Sequence, residues 1–455
     1  VSELCRHYVV CFIGYSLGDP VLRYMMDALA ADRMLIDGLP NVYAFASYKA
    51  DEQEQIAEEW ESKNVTPIVY ESVLTQNDDN KEIQDHSVLS NTLKECADRY
   101  ESGITGRINL LSKAAILPPD TVNPQGGSVK NVLWALKDST GEAAFHFAKL
   151  SPLPPLEWLD ELVSGELDDF TANHFVGFTQ PSLEWTNTTY ALANWLLRHF
   201  NNADLLIWLS VRGGQLHDNF KRLVSHKLRE TEEQNTDSHN EQQMFYRQIA
   251  KKLWRLMLVG HVGVVHQGLE LPSVFRDIKN NGVNTINALE LKKLLIPKLA
   301  LFKSIPSEPI RMELRIDSYL LNNALQDVEG EEWHAILSDL IPVFESVLKE
   351  SLDIMAEVGQ ASEKEDLSLI KLPSISDHPQ NRHIEDWALL IVQLRDAWLE
   401  TAGKDHRQAL QIAQRWFEIK YPTFKRLALF AAADGQVPTA TWVDWLVEGK
   451  YPCLW

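Results

Sequence analysis

The hydrophobic pattern changes its period once along this chain. Up to about residue 75, apolar positions come in short, nearly unbroken runs around 8–14, 41–47 and 65–71, the signature of strands buried in a parallel sheet. Between the first two runs, Val21, Leu22, Met25, Met26 and Leu29 recur at helical spacing, and a polar helix carrying Glu52, Gln55, Glu58, Glu59 and Trp60 precedes the third. This βαβαβ order is what a right-handed parallel crossover produces. Pro67 in the third run places that strand at or near a sheet edge. The polar stretch from Gln76 to Asp85 reads as the loop that closes the α/β unit.

Beyond it the period is helical. Residues 87–116 set Val88, Leu89, Leu93, Cys96, Ala97 and Tyr100 on one stripe, and Leu117-Pro-Pro-Asp-Thr-Val-Asn-Pro-Gln-Gly-Gly reads as a linker. Helices are predicted over 128–137, 141–149, 155–164, 186–200, 202–211, 216–230, 241–258, 284–302, 312–325, 330–358, 384–401, 405–419, 422–433 and 438–448, with no strand after residue 75. The resulting fold class is an α/β Rossmann-like remnant of about three parallel strands followed by a mainly α-helical, solenoid-like region. Its expected divisions are 1–83, a connecting helix and linker over 84–127, and helices over 128–455. Of 14 tryptophans, 13 lie from residue 134 onward, in amphipathic phrases such as Leu206-Ile-Trp-Leu and Lys252-Leu-Trp-Arg-Leu. Such phrases suit stacked helix pairs, and equally a globular helical domain with a Trp-rich core.

Composition narrows the classes. A 45% hydrophobic content excludes global disorder, and no apolar run reaches the ~18–20 residues of a membrane span, so a soluble, cytoplasmic protein is expected. The net charge of −21, spread along the chain, argues against a nucleic-acid surface. Cysteines 5, 11, 96 and 453 form no Cys-x-x-Cys pair, which implies reduced thiols and no structural zinc. His261 and His266 are five apart and so off a common helix face; no metal site is expected. A sheet of three parallel strands cannot cover its own faces and edges, and the chain opens at Val1 within a helix-to-strand connection. Both features suggest a fragment.

The chemistry concentrates in Phe12-Ile-Gly-Tyr-Ser-Leu-Gly-Asp-Pro20. Gly14 and Gly18 permit a sharp turn after the first strand, Asp19 can cap the following helix, and Pro20 suits its first position. In an open α/β sheet such a turn lies where nucleotides bind, with backbone N–H groups and the positive helix end available to phosphate. These residues resemble the later part of the Rossmann domain in SIR2-like (sirtuin-related) proteins, and the Tyr and Asp-Pro form is similar to prokaryotic SIR2-like proteins, many of them NAD-consuming antiviral effectors. The resemblance covers roughly residues 8 to 75. It implies NAD as ligand, with Gly14, Tyr15, Ser16, Asp19 and Ser47 toward its adenosine and phosphate side. It also implies that the family's glycine-rich loop and catalytic His lie upstream of residue 1, so no catalytic residue is assigned within the chain and the chain alone is expected to be inactive.

The function this implies is that of a fragment of an NAD-hydrolysing antiphage defence protein, its helical region binding a protein partner or phage-derived trigger, with oligomerisation open. Three alternatives stand beside it: a non-catalytic scaffold, a sirtuin-type deacylase, and an α/β-hydrolase using Ser16 of Gly14-Tyr-Ser-Leu-Gly18. The hydrolase is disfavoured because Asp78, Asp79 and His86 sit too close together to leave room for the strand and helix usually found between acid and base. Ser47 and Asp19 equally suit plain loop and cap roles. Gly213-Gly-Gln-Leu-His217 reads as a helix C-cap, Glu166-Leu-Asp-Asp and Glu363-Lys-Glu-Asp as solvated helix ends, and Lys425-Arg426 as surface.

Overall fold

The computed structural model describes residues 7–35, 40–49, 51–76, 82–101, 103–119, 127–164, 167, 170–176, 184–233, 241–264, 270–305, 308–381, 384 and 386–447. Cys5, Asp78, Asp79, His266 and Cys453, most of Glu166–Asp169 and most of the Pro/Gly linker lie outside the described residues. The chain divides into two compact units, Val1–Leu110 and Leu111–Trp455.

In the first unit, strands β1 (Val10–Phe12), β2 (Val42–Tyr48) and β3 (Thr66–Glu71) form a parallel sheet in the order β1-β2-β3. Phe12 lies opposite Ala44, and Tyr48 opposite Glu71. Pro67 sits on an edge strand, where its missing N–H costs no ladder bond. Alternation along β2 buries Val42, Ala44 and Ala46, and these pack with Phe12 and Val65. Met26 from helix α1 (Pro20–Leu35) and Trp60 from helix α2 (Gln53–Glu61) join the same cluster, so both helices cover one face of the sheet. The residues of opposite parity are less enclosed: Tyr43 and Phe45 are half-buried, while Cys11, Ile13 and Ile68 are exposed.

The expected loop over 76–85 is instead part of a hairpin. Strand β4 (Val73–Gln76) pairs antiparallel with β5 (Glu82–Asp85), registering Val73 with Asp85 and Gln76 with Glu82. Polar side chains hid this strand, since on a short two-stranded ribbon neither face has to be apolar. Asp85 then starts helix α3 (Ser87–Glu101) by accepting from Ser87 N at 2.8 Å.

The second unit is mainly helical; some helices pack on the next one in the chain, as Ala388–Lys404 does on His406–Glu418, and others skip one, as Glu142–Lys149 packs on Asn187–Arg198. Three expectations need correction. Residues 284–302 are a helix only over Thr285–Leu295, because Pro297 stops it and Lys298–Phe302 continues as strand β6. The helix expected over 312–325 begins only at Ser318, and Arg311–Arg315 is strand β7, pairing antiparallel with β6; its alternation of charged and apolar residues has a period of two. A helix at Leu271–Asn281 was not predicted, although Leu271, Val274, Phe275 and Ile278 have helical spacing and are buried.

Tryptophan organises this unit. Trp158, Trp195, Trp254 and Trp398 are fully enclosed, and each indole N–H donates to a backbone carbonyl well away in sequence: Leu117 at 2.9 Å, Pro154 at 3.0 Å, Phe200 at 2.8 Å and Ala409 at 3.0 Å. Trp254 also stacks on Phe200 with ring centroids 5.1 Å apart. One close backbone crossing is set by glycine. Gly214 has φ +70°, and a Cβ there would lie 1.9 Å from the Val262 carbonyl oxygen. Gly214→Ala is therefore expected to cost more than the ~1–2 kcal/mol of left-handed backbone strain alone. A thermal melt that leaves this variant as stable as the parent would contradict the crossing.

Burial also holds three histidines of this unit neutral, pushing His199, His217 and His261 below the usual imidazole range, with Glu350 partly opposing the shift at His261. At His217 the hydrogen bonding agrees, since Nδ1 accepts from Asn219 N at 3.2 Å; at His199 burial outweighs the Pro154 carbonyl, 3.0 Å from Nε2, which acts the other way. In the unfolded chain these imidazoles take up protons near pH ~6.5, so below that value the unfolded state binds more protons and the fold loses stability as pH falls. The melting temperature of the helical unit should fall between about pH 7.5 and about pH 5.5, and His199→Gln should flatten the dependence. A flat profile in the parent protein would count against buried neutral histidines.

Candidate functional site

The sheet places the turn after β1 and the end of β2 on the same side, because the strands are parallel. Ser47 lies three residues past Ala44, the partner of Phe12, or ~10 Å farther along the strand direction. Gly14, Tyr15, Ser16, Asp19 and Ser47 thus all lie toward the carboxyl ends of two adjacent strands.

Gly14 has φ +76°, a backbone that residues with a Cβ adopt only under strain, and among the described residues other than its chain neighbours nothing lies within 4 Å of where that Cβ would stand. Conformation demands glycine here, not crowding within the fold. Tyr15 is 55% exposed, its ring edge-on to Phe12 with centroids 5.7 Å apart. Ser16 ties the turn together: its Oγ accepts from Gly18 N at 3.1 Å and its carbonyl from Asp19 N at 3.0 Å. Leu17 is buried as the anchor of the loop, and its carbonyl accepts from Arg23 Nε at 3.1 Å.

The helix start differs from the expectation that its N–H groups are available to phosphate. Pro20 has no N–H, and Val21 N donates to Asp19 Oδ1 at 2.8 Å. A carboxylate therefore occupies the position where an anion would sit, and Asp19 also brings a negative charge that repels phosphate. The cap role weighed for Asp19 is the one observed.

Ser47 is half-buried, and Gln84 of β5 donates to its Oγ at 3.4 Å and to Ser72 Oγ at 2.5 Å. Ser72 in turn donates to the Tyr48 carbonyl through both its N, at 2.9 Å, and its Oγ, at 3.2 Å. This bracing of the β2 end was not foreseen, since it depends on the unpredicted hairpin. For the hydrolase alternative, Ser16 Oγ bonds only Gly18 N among the described residues, while His86 Nδ1 lies 2.8 Å from Tyr70 OH. Among the described residues no acid–base chain reaches the serine.

The remaining sequence candidates have structural partners. Gly214 N donates to the Leu209 carbonyl at 3.0 Å, closing a helix end. Asp366 accepts from Thr423 N at 2.8 Å and Oγ1 at 2.7 Å, fixing the start of the helix Pro422–Ala433. Arg426, read as surface, spends its guanidinium on Ser368 Oγ and the carbonyls of Leu372 and Pro373 at 2.6–3.0 Å. Among the described residues no group of three His, Cys, Asp or Glu could hold a metal ion, and no helix is long and apolar enough to cross a membrane.

The sheet, its first turn and the helix behind it coincide with a known domain. Residues 1–68 match the family model of the SIR2-like domain. The matched segment is the amino-terminal end of the chain, and the match does not assign it to the carboxyl-side part of that domain. It spans all three strands of the parallel sheet apart from the last residues of β3. No curated protein and no solved structure matches the chain. The SIR2-like segment includes every residue singled out above for the nucleotide, from Gly14 to Ser47.

Within the SIR2-like segment, Asp19→Ala should lower stability by ~1 kcal/mol through loss of the cap. Gly14→Ala should cost ~1–2 kcal/mol through backbone strain without a clash. Urea unfolding followed by far-UV circular dichroism measures both; a Gly14→Ala protein as stable as the parent would show that the left-handed turn is not held in solution.

Proposed function

We propose that the SIR2-like segment binds NAD at the turn after β1, and that the chain serves an NAD-hydrolysing antiphage defence protein whose helical unit receives the trigger. The observation that carries this reading is the left-handed Gly14 turn at the carboxyl end of a parallel strand, inside the segment that matches the SIR2-like domain. A ligand can approach the backbone at Gly14 because, its two chain neighbours aside, no described residue has an atom within 4 Å of the site of a Cβ. The charge of Asp19 favours the ribose hydroxyls of the adenosine half over the pyrophosphate at the helix start. Tyr15 offers an exposed ring beside that position. Gly14, Tyr15, Ser16 and Asp19 thus form the proposed nucleotide contact, with Ser47 at its far end. The tests below also separate this reading from the scaffold and hydrolase alternatives.

Isothermal titration of the chain with NAD tests the first part. Gly14→Val should abolish saturable binding, whereas Ser16→Ala, which removes one turn hydrogen bond of ~1 kcal/mol, should weaken it only a few-fold. Binding that survives Gly14→Val would remove the turn from the site, and no NAD binding by the parent chain would favour a scaffold. Labelling of Ser16 by a fluorophosphonate would support the hydrolase instead. Release of nicotinamide in cells by a full-length parent protein that supplies the family's catalytic residues, with and without residues 128–455, tests the second part: the truncated protein should no longer respond to infection.

A further inference from the structure

The helical unit contains a cleft of about 420 Å3 whose chemistry is opposite to that of the chain as a whole. Three helices build it: Glu142–Lys149 and Asp218–Glu233 form the walls, and Asn187–Arg198, which packs on both, lies between them. Spacing of three and four residues brings one face of each helix to the cleft, as with Phe145 and Lys149, Leu197 and Arg198 with Asn194, and Leu223 with Lys227. In a chain of net charge −21, three permanent cations (Lys149, Arg198 and Lys227) line this space with a single carboxylate, Glu230.

The arrangement leaves cationic capacity unused. Glu230 is shared between Lys227 Nζ at 3.1 Å and His226 Nδ1 at 3.2 Å. Arg198 Nη1 donates to the carbonyls of Ala148 at 2.7 Å and Leu150 at 2.9 Å, which fixes the guanidinium while its Nε and Nη2 bond no described residue. Lys149 Nζ makes no hydrogen bond or ion pair to any described residue. Favourable placement at a helix carboxyl end accounts for Arg198 and Lys149, but not for Lys227, which lies inside the helix Asp218–Glu233 and reaches the same cleft. Phe145, 37% exposed, and the side chains of Leu197 and Leu223 supply an apolar lining between these charges.

We propose that this cleft binds an organic phosphomonoester. The two uncompensated positive charges match a phosphate that carries close to two negative charges at neutral pH, and the Arg198 fork and lysine ammoniums suit its oxygens. The apolar lining takes the organic body, and the volume lies within the ~300–1,000 Å3 of small-molecule sites. The site is independent of the Gly14 turn.

Adenosine monophosphate titrated into the whole chain at low salt is the probe, with inorganic phosphate and adenosine as the partial ligands. Saturable binding should appear, weaken as salt is raised, and weaken at least tenfold in Lys149→Ala/Lys227→Ala. Phe145→Ala should weaken the nucleotide at least threefold and leave inorganic phosphate unchanged. Gly14→Val should leave this binding as it is, which separates the cleft from any nucleotide contact at the turn. Lys149→Gln keeps most of the side-chain stem and should still lose affinity if the double variant is unstable. Absence of saturable binding, or an unchanged affinity in both lysine variants with intact helical dichroism, would overturn the proposal. Inorganic phosphate binding as tightly as the nucleotide would overturn the assignment of an organic ligand.

Discussion

A buried indole gains most when its N–H faces an acceptor, and four fully enclosed tryptophans of the helical unit meet that constraint across separate elements, whereas the buried N–H of Trp185 does not. Side-chain apolarity alone would let neighbouring helices slide past one another. An enclosed tryptophan whose N–H must meet a particular carbonyl cannot slide without leaving a buried donor unsatisfied, at a cost of ~1–3 kcal/mol. Trp195 reaches the carbonyl of Pro154, Trp254 that of Phe200 and Trp398 that of Ala409, so packing and connection are fixed by the same residues. Trp416 applies the rule to a side chain, donating to Glu345, which also receives Arg415 through both carboxylate oxygens.

The SIR2-like segment is held differently. Its core is a single layer between one sheet face and two helices, and its turn is fixed mainly by hydrogen bonds within six residues, with Leu17 anchored in the core. Such local bonding defines a loop shape while leaving the loop surface open, which is what a ligand-binding turn requires. Asp19 shows the cost: by completing the helix it removes the donor and imposes the charge that would otherwise decide which part of a nucleotide lies there.

How far the sequence could be read follows from the range of each signal. The three parallel strands were visible because Val9 to Ile13 and its counterparts are apolar runs bounded by helical spacing, and the observed order and direction agree. Ser318–Val328 was placed too early because Met312 and Leu314 look helical when joined to Leu320 and Leu321, although they alternate with charges on a five-residue strand. The predicted helix over 330–358 is broken at Ser338–Leu340, just before Pro342 starts the longer helix. At the turn, Gly14 and Asp19 could be assigned from the residues themselves, whereas the Gln84 brace on Ser47 and the convergence of Lys149, Arg198 and Lys227 bring together positions tens of residues apart and leave no local pattern.

The uneven distribution of tryptophan also makes the chain optically lopsided. Trp60 is the sole indole of the first unit, and every other one belongs to the second, where Trp158, Trp195, Trp254, Trp387, Trp398 and Trp416 are fully shielded from water. Intrinsic emission is therefore a gauge of the helical unit. Unfolding of the sheet around Gly14 would change that signal through one residue, and an unfolding curve recorded by fluorescence would describe the helices while remaining nearly blind to the segment that carries the SIR2-like match.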